Sequence, residues 1–178
     1  MDPTPPALPD DVRRILKQSF LIRATMRTRR SHRLRTVETT YVWDGGSRLY
    51  LSGYPGPRDW VANMAANPDV TLHTVEGHPW FDLPARARVL RDRDERVPHL
   101  LAFLRHWAGR MGLVQPLFRL ALCAIGLHHR LRLPWWGPFY PAKRILDRMP
   151  CVEVTLVGPP RPRPGGPPPL SEPIGGRR

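Results

Sequence analysis

The stretch Tyr50 to Val70, YLSGYPGPRDWVANMAANPDV, constrains the fold more than any other in the chain. It opens as the end of a strand (Leu49 to Ser52) and breaks into the turn-prone run Gly53-Tyr54-Pro55-Gly56-Pro57. A short helix then starts at Pro57 or Arg58, where proline suits a first helical position because its missing N–H would be unpaired there anyway. Trp60, Val61, Met64 and Ala65 form one apolar stripe for packing on a sheet. Asn67-Pro68 ends the helix, because the residue before proline is pushed out of the α region. A strand, a glycine-rich bend and a helix N-terminus beside Arg58 read in two ways. One is an ordinary strand–turn–helix corner; the other is a cradle for a phosphate or carboxylate.

On either side of this stretch the periodicity alternates between helix and strand. Asp10 and Asp11 precede VRRILKQSF, with Val12, Ile15, Leu16 and Phe20 at helical spacing and acidic residues placed to suit the dipole. From Phe20 the period becomes two: Phe20, Ile22, Ala24 and Met26 on one face, Leu21, Arg23, Thr25 and Arg27 on the other. After the turn Arg29-Arg30-Ser31-His32, a second strand runs from about Arg33 to Trp43. Asp44-Gly45-Gly46 is a hairpin signal, and Ser47 to Ser52 returns as a third strand. Val70 to Val75 and Trp80 to Arg91 follow as strands, the latter interrupted by Pro84, which predicts an edge or a bulge. Pro98 is expected to open an amphipathic helix carrying Leu100, Leu101, Leu104 and Ala108. CVEVTLVG (Cys151 to Gly158) is a sixth strand. The expected organisation is a flexible leader over 1–9, a single domain over 10–158 with a helical and aromatic insertion near 105–150, and a disordered Pro/Gly/Arg tail over 159–178. Six short, mostly antiparallel strands with hairpin connections predict a mainly β fold, a small barrel with flanking helices.

The chain carries 28 Lys and Arg against 15 Asp and Glu, almost all of the positive charge being arginine. Such a balance attracts nucleic acid, anionic lipid or an anionic small molecule and selects none of them. No aromatic-basic module of a known nucleic-acid binder is present, so no sequence-specific nucleic-acid partner is expected. Only Cys123 and Cys151 occur, too few for a disulfide framework, and a reducing cytoplasm is the default. The opening MDPTPPALPDD is not of secretory-leader type. The most apolar run, Pro116 to Leu127, is shorter than the roughly 20 residues of a spanning helix.

The densest charge is Arg27, Arg29, Arg30, Arg33 and Arg35, on the hairpin between the first two strands. It is either a solvated turn or an anion clamp, since guanidinium groups bind phosphate and carboxylate oxygens in bidentate fashion. Glu38, inside the second strand, is either paired with a nearby arginine or a catalytic acid or base. The seven histidines show no metal-ligand spacing, so no metal is expected. Hydrolase, P-loop and dinucleotide glycine patterns are also missing. Trp135, Trp136, Phe139 and Tyr140 cap the barrel, cover a pocket, or meet a lipid interface together with Arg130, Arg132, Lys143 and Arg144, a peripheral membrane contact.

Three segments carry a family resemblance: Thr28-Arg29-Arg30-Ser31-His32, then Leu51-Ser52-Gly53-Tyr54-Pro55-Gly56, then Trp60 through Asn63-Met64 to Ala66-Asn67-Pro68. With Ala85-Arg86-Ala87 they resemble, in order and spacing over about 20–95, the deazaflavin (F-420)-dependent nitroreductase family. That family belongs to the flavin and deazaflavin oxidoreductases with the split β-barrel of pyridoxamine phosphate oxidase. Two glycines of the family pattern are replaced here by Thr28 and His32. The resemblance implies a six-stranded split barrel, an FMN-binding-like homodimer, and a deazaflavin coenzyme F-420 (or, alternatively, FMN). Its anion would be held by Arg29, Arg30, Ser31, Arg33 and Arg35 together with Ser52, Gly53, Tyr54, Gly56, Arg58, Asp59, Trp60 and Asn63. The implied reaction is hydride transfer from reduced coenzyme to a small electron acceptor (a quinone, nitro compound or activated alkene) in which the cofactor carries the redox step. The alternatives are an FMN-dependent reductase of the same fold and a non-catalytic barrel holding an apolar or lipid-like ligand.

Overall fold

The computed structural model describes residues 7–111, 115–134 and 139–172. The expectations for residues 1–6, for Trp135 and Trp136, and for 173–178 fall outside these. Helix α1 (Asp10–Gln18) carries Asp10 and Asp11 in its first turn and buries Val12, Ile15 and Leu16. Six strands follow the period-two patterns: β1 (Leu21–Arg27), β2 (Leu34–Trp43), β3 (Arg48–Ser52), β4 (Asp69–Thr74), β5 (Trp80–Val89) and β6 (Val152–Leu156). All pair antiparallel in the order β4-β1-β2-β3-β6-β5, and β5 closes onto β4. The result is a six-stranded barrel. Register places Ile22, Ala24 and Met26 inside with Leu72, Leu83, Leu49, Leu51, Val152 and Val154, all buried in one core. Asp44 Oδ1 accepts the N–H groups of Gly46 (2.7 Å) and Arg48 (3.2 Å), and Gly45 supplies the left-handed φ that the tight β2–β3 turn needs.

Helix α2 (Asp59–Ala66) crosses one end of the barrel, with Met64 fully buried and Trp60 and Val61 half-buried against the core. Ala65, placed by periodicity on the same stripe, is exposed, because the helix is too short to bury a full face. Between β5 and β6 the chain makes a helical excursion: α3 (Arg93–Met111), α4 (Gln115–Arg130) and α5 (Tyr140–Arg148). It begins at Arg93 rather than near 105. Pro98 does not open α3 but lies inside it; Asp92 is the cap, its carboxylate accepting the Glu95 N–H at 3.0 Å. A second core of Tyr50, Leu90, Val97, Leu100, Leu101, Phe103, Leu122, Leu146 and Met149 joins the excursion to the outside of the barrel. Within the excursion Asp147 ties α5 to α3, accepting both Nε (3.0 Å) and Nη2 (2.9 Å) of Arg93 as well as Nζ of Lys143 (2.8 Å). Although burial raises its pKa, those hydrogen bonds outweigh it and hold the carboxyl below its ordinary range.

Two expectations are corrected. Pro84 lies in a strand paired on both sides, not on an edge. Its carbonyl accepts the Val157 N–H at 3.0 Å, on the side where β6 ends and the chain breaks at Gly158-Pro159. A strand residue's N–H and C=O point the same way, so the proline's missing donor falls at that break. The tail, expected to lack structure, lies on the barrel as far as Glu172 is described. Strand β7 (Arg161–Arg163) continues the line of β6 along Trp80–Asp82. Beyond it the Pro168 carbonyl accepts from Arg23 (2.7 Å), and Ser171 exchanges hydrogen bonds with Thr36. Composition alone missed this because the ordering comes from polar partners on the barrel wall, not from apolar burial by the tail itself.

Candidate functional site

A polar stripe at every fourth residue of α2 fixes the arginine hairpin. Asp59, Asn63 and Asn67 lie on one side of the helix and its end. Asp59 Oδ2 stands 4.0 Å from Arg35 Nη1, Asn63 Oδ1 accepts the Arg29 N–H at 3.1 Å, and Asn67 Nδ2 donates to the Arg27 carbonyl at 3.3 Å. The hairpin turn is closed by Thr28 N–H to the Arg33 carbonyl (2.9 Å) and by the Thr28–Ser31 hydroxyl pair (2.7 Å). His32, where the resembled pattern has glycine, takes a left-handed backbone at φ 53°, a conformation glycine adopts freely and other residues adopt at some cost. Arg29, Arg30 and Arg33 are exposed at the tip, while Arg35 folds inward beneath α2.

Three buried donors at this end lack a hydrogen-bond partner: Nε and Nη1 of Arg35, and Nδ2 of Asn63, whose side chain is 4% exposed. Buried polar groups are ordinarily satisfied, so this arginine and amide have capacity for an acceptor from outside the chain, a water or a ligand oxygen.

The loop from Gly53 to Arg58 is anchored at its base. Thr39 and Thr40 hydroxyls both donate to the Ser52 carbonyl at 2.9 Å, the Ser52 hydroxyl donates to the Pro150 carbonyl at 2.7 Å, and the Gly56 N–H donates to the Arg148 carbonyl at 2.8 Å. Gly56 has φ 124°, a value that only glycine adopts without strain. Ser52, expected to face a ligand, is buried and its proton is committed to the backbone. Arg58 turns back on its own loop, donating to the Tyr54 carbonyl at 3.2 Å.

Beside this loop lies an open cleft of about 530 Å³. Gly53, Tyr54, Arg58 and Trp60 line one wall, Glu38, Thr39 and Thr40 of β2 the floor, and Phe20, Phe103, Leu104, Trp107, Ile145 and Met149 the other wall. Glu38 is paired with Arg23 (2.9 Å), as a strand carboxylate usually is. Of the expected residues, the cleft therefore gathers Gly53, Tyr54, Arg58 and Trp60, while Gly56 lines a separate pocket beside Arg148 and Pro150. On the hairpin, Arg35 and the Arg29 backbone meet Asp59 and Asn63, and Arg30 and Arg33 stay at the exposed tip. Asp59, next to Arg58 and Trp60, joins the two. The apolar wall was not foreseen. Its signal is Leu104 and Trp107 on α3, at the edge of the Leu100, Leu101 and Phe103 side that goes to the second core, Phe103 bordering both.

Among the described residues no group of His, Cys, Asp or Glu is placed to hold a metal ion. Cys123 is exposed and Cys151 buried, both free, and burial pushes the Cys151 thiol up to about 12, which leaves it inert.

No family profile matches the chain, and no curated protein matches it by sequence. Solved structures do. A candidate pyridoxamine 5'-phosphate oxidase from Listeria innocua superposes with TM-score 0.52 at 13% identity, over 86% of this chain and 95% of that one. The heme storage protein HutZ from Vibrio cholerae gives TM-score 0.56 at 10% identity, over 90% and 98%. A candidate 5-nitroimidazole antibiotic resistance protein from Bacteroides thetaiotaomicron gives 0.50 at 11%, over 84% and 82%. At such identities the likeness establishes the fold, the split β-barrel of pyridoxamine 5'-phosphate oxidase type.

Proposed function

We propose that this protein is a cofactor-dependent oxidoreductase that binds an anionic flavin-type coenzyme, deazaflavin F-420 in first place and FMN as the alternative. The observation that carries this reading is the set of buried donors without acceptors, Arg35 Nε and Nη1 and Asn63 Nδ2, on β2 and α2, the two elements that also give the apolar cleft Glu38, Thr39, Thr40 and Trp60. A flavin-type molecule offers what both lack: oxygens for the donors and a flat ring for the aromatic walls. Arg29, Arg30 and Arg33 at the hairpin tip add charge where the anion would enter.

The coenzyme, when bound, supplies hydride transfer to a quinone, nitro compound or activated alkene. The chain's own residues bind, orient and exclude water. Trp60 and Trp107, with Phe103 and Met149, give the ring apolar faces, and the Thr39–Ser52–Pro150 anchoring keeps the loop rigid. Glu38, tied to Arg23, stays at the cleft floor as a fixed charge. Two of the structural neighbours are described as an oxidase of a phosphorylated vitamer and a nitroimidazole resistance protein, which accords with this chemistry. The reading includes the homodimer that the family resemblance implies.

Fluorescence titration of the purified protein with F-420 and with FMN tests it. Saturable binding of one at micromolar concentration is expected. Binding of neither at tens of micromolar overturns the reading, and FMN preferred over deazaflavin keeps the fold and changes the coenzyme.

A further inference from the structure

Helix α4 packs against α3 with one face and leaves an apolar stripe on the other. Leu122 is buried in the second core, with Phe118 and Ile125 packed beside it. At 100° per residue, Leu117, Leu120, Ala124 and Leu127 recur at three- and four-residue steps away from that core, Leu127 standing at the rim of the groove toward α3, and Leu131 continues the line in the turn after the helix. The four leucines are 70%, 65%, 57% and 58% exposed. A helix lying on a domain ordinarily turns polar residues outward, so a leucine stripe in that position marks a binding surface.

Charge identifies its occupant. Arg119 and Arg130 flank the stripe, Arg132 follows, and no Asp or Glu occurs anywhere from Arg96 to Leu146. The acidic group of α3 nearest α4, Asp94, sits 4.0 Å from His129 on the packed side. A second copy of the helix would set these arginines against arginines with no carboxylate to receive them. An anionic lipid surface matches both halves, with leucines entering the acyl boundary and guanidinium groups meeting headgroup phosphates.

We infer that α4 docks this protein on an anionic bilayer surface, lying in its plane with Leu117, Leu120, Leu127 and Leu131 inserted. No helix among the described residues is long and apolar enough to cross a membrane, so the contact is superficial. Helix α3 stands between α4 and the cleft, with Leu101 and Arg105 bordering α4 and Phe103, Leu104 and Trp107 lining the cleft. Docking through α4 therefore leaves α3, one helix diameter of about 10 Å, between the docked helix and the cleft. The inference stands without the coenzyme reading.

Co-sedimentation of the full chain with phosphatidylcholine vesicles, with and without phosphatidylglycerol, tests it. Binding is expected only where phosphatidylglycerol is present and weakens with added salt. The double variant Leu120→Gln/Leu127→Gln, unchanged in charge and in melting temperature, loses at least about tenfold in partitioning, since two apolar side chains leave the lipid. The Arg119→Gln/Arg130→Gln variant also binds less, with a shallower salt dependence. Unaltered binding by the leucine variant would mean that net charge alone adheres and would overturn the inference, as would equal binding to neutral vesicles. A dimer in light scattering that the leucine variant converts to monomer would show a second copy on this face and overturn it equally.

Discussion

Asn63 Oδ1 accepts the backbone N–H of Arg29 at 3.1 Å, so a buried amide on α2 positions the arginine hairpin 34 residues earlier in the chain. Asn63→Ala removes the acceptor and leaves the Arg29 N–H short of a partner at a partly buried site. The expected cost is about 1–3 kcal/mol of unfolding free energy, read from urea denaturation, because an unmatched buried donor carries its whole desolvation penalty. A variant that unfolds at the wild-type urea midpoint would show the bond to be idle.

Arg35 offers a sharper contrast. Its Nε and Nη1 lack acceptors, and its carboxylate neighbour Asp59 is 4.0 Å away and largely exposed. An incompletely paired buried charge is a liability to the apo-protein. Arg35→Met keeps most of the side-chain volume, so apo stability should stay level or rise by up to about 1–3 kcal/mol, while coenzyme affinity collapses. If the variant instead melts well below wild type, Arg35 is a structural ion-pair partner and has no ligand to serve.

Arg30 and Trp60 should fail in different ways. Arg30 is exposed at the hairpin tip and lies in no described ion pair. Arg30→Ala should weaken coenzyme binding by about 1.5–3 kcal/mol, roughly tenfold to over a hundredfold, with an unchanged apo melting temperature. Trp60 is half-buried against the core and lines the cleft. Trp60→Ala should cost stability near or below the low end of the roughly 3–5 kcal/mol found for enclosed tryptophans, and loosen the coenzyme through the cleft wall. Paired thermal melts and titrations separate the two, and equal melting losses with normal binding in Arg30→Ala would displace the anion from the hairpin.

The barrel could be read from the sequence because its signals are local. Period-two alternation in β1 and β2, Asp44-Gly45-Gly46 at the hairpin and Asn67-Pro68 after α2 each state a conformation within a few residues. The site was half legible. The loop after β3 and the arginine hairpin between β1 and β2 were readable as elements, but the inward turn of Ser52 to Pro150, a partner 98 residues away, was not. Phe103, Leu104 and Trp107 were unreadable as cleft residues because the apolar side of a helix does not say which of its edges borders a cleft. The tail was misread for the same reason: Arg163, Pro168 and Ser171 are ordered by Asp82, Arg23 and Thr36, partners that composition cannot supply.

That tail covers a polar chain across the barrel wall, whose contribution to stability should change with pH. His73 is buried, with Nε2 2.8 Å from Thr25 Oγ1 and Nδ1 2.6 Å from Asp82 Oδ1; Asp82 Oδ2 in turn accepts from Arg163 at 2.8 Å. Burial pushes the His73 pKa below its ordinary value; Asp82 opposes this, and the nearby Arg163 and Arg23 reinforce it. A folded-state pKa below the unfolded one near 6.5 gives stability that is present above about pH 6.5 and lost as pH falls through the lowered folded value. The urea midpoint should therefore drop on acidification below about pH 6.5, and His73→Gln should flatten that drop. His99, also lowered by burial, contributes in the same window, so His99→Gln serves as the parallel control. Arg163→Ala removes a cation that disfavours imidazolium. It should raise the His73 pKa and shrink the acid loss, at a cost of about 0.2–1 kcal/mol at neutral pH for a partly exposed pair. An imidazole resonance for His73 titrating at or above the ordinary histidine value in the folded protein would sink the idea.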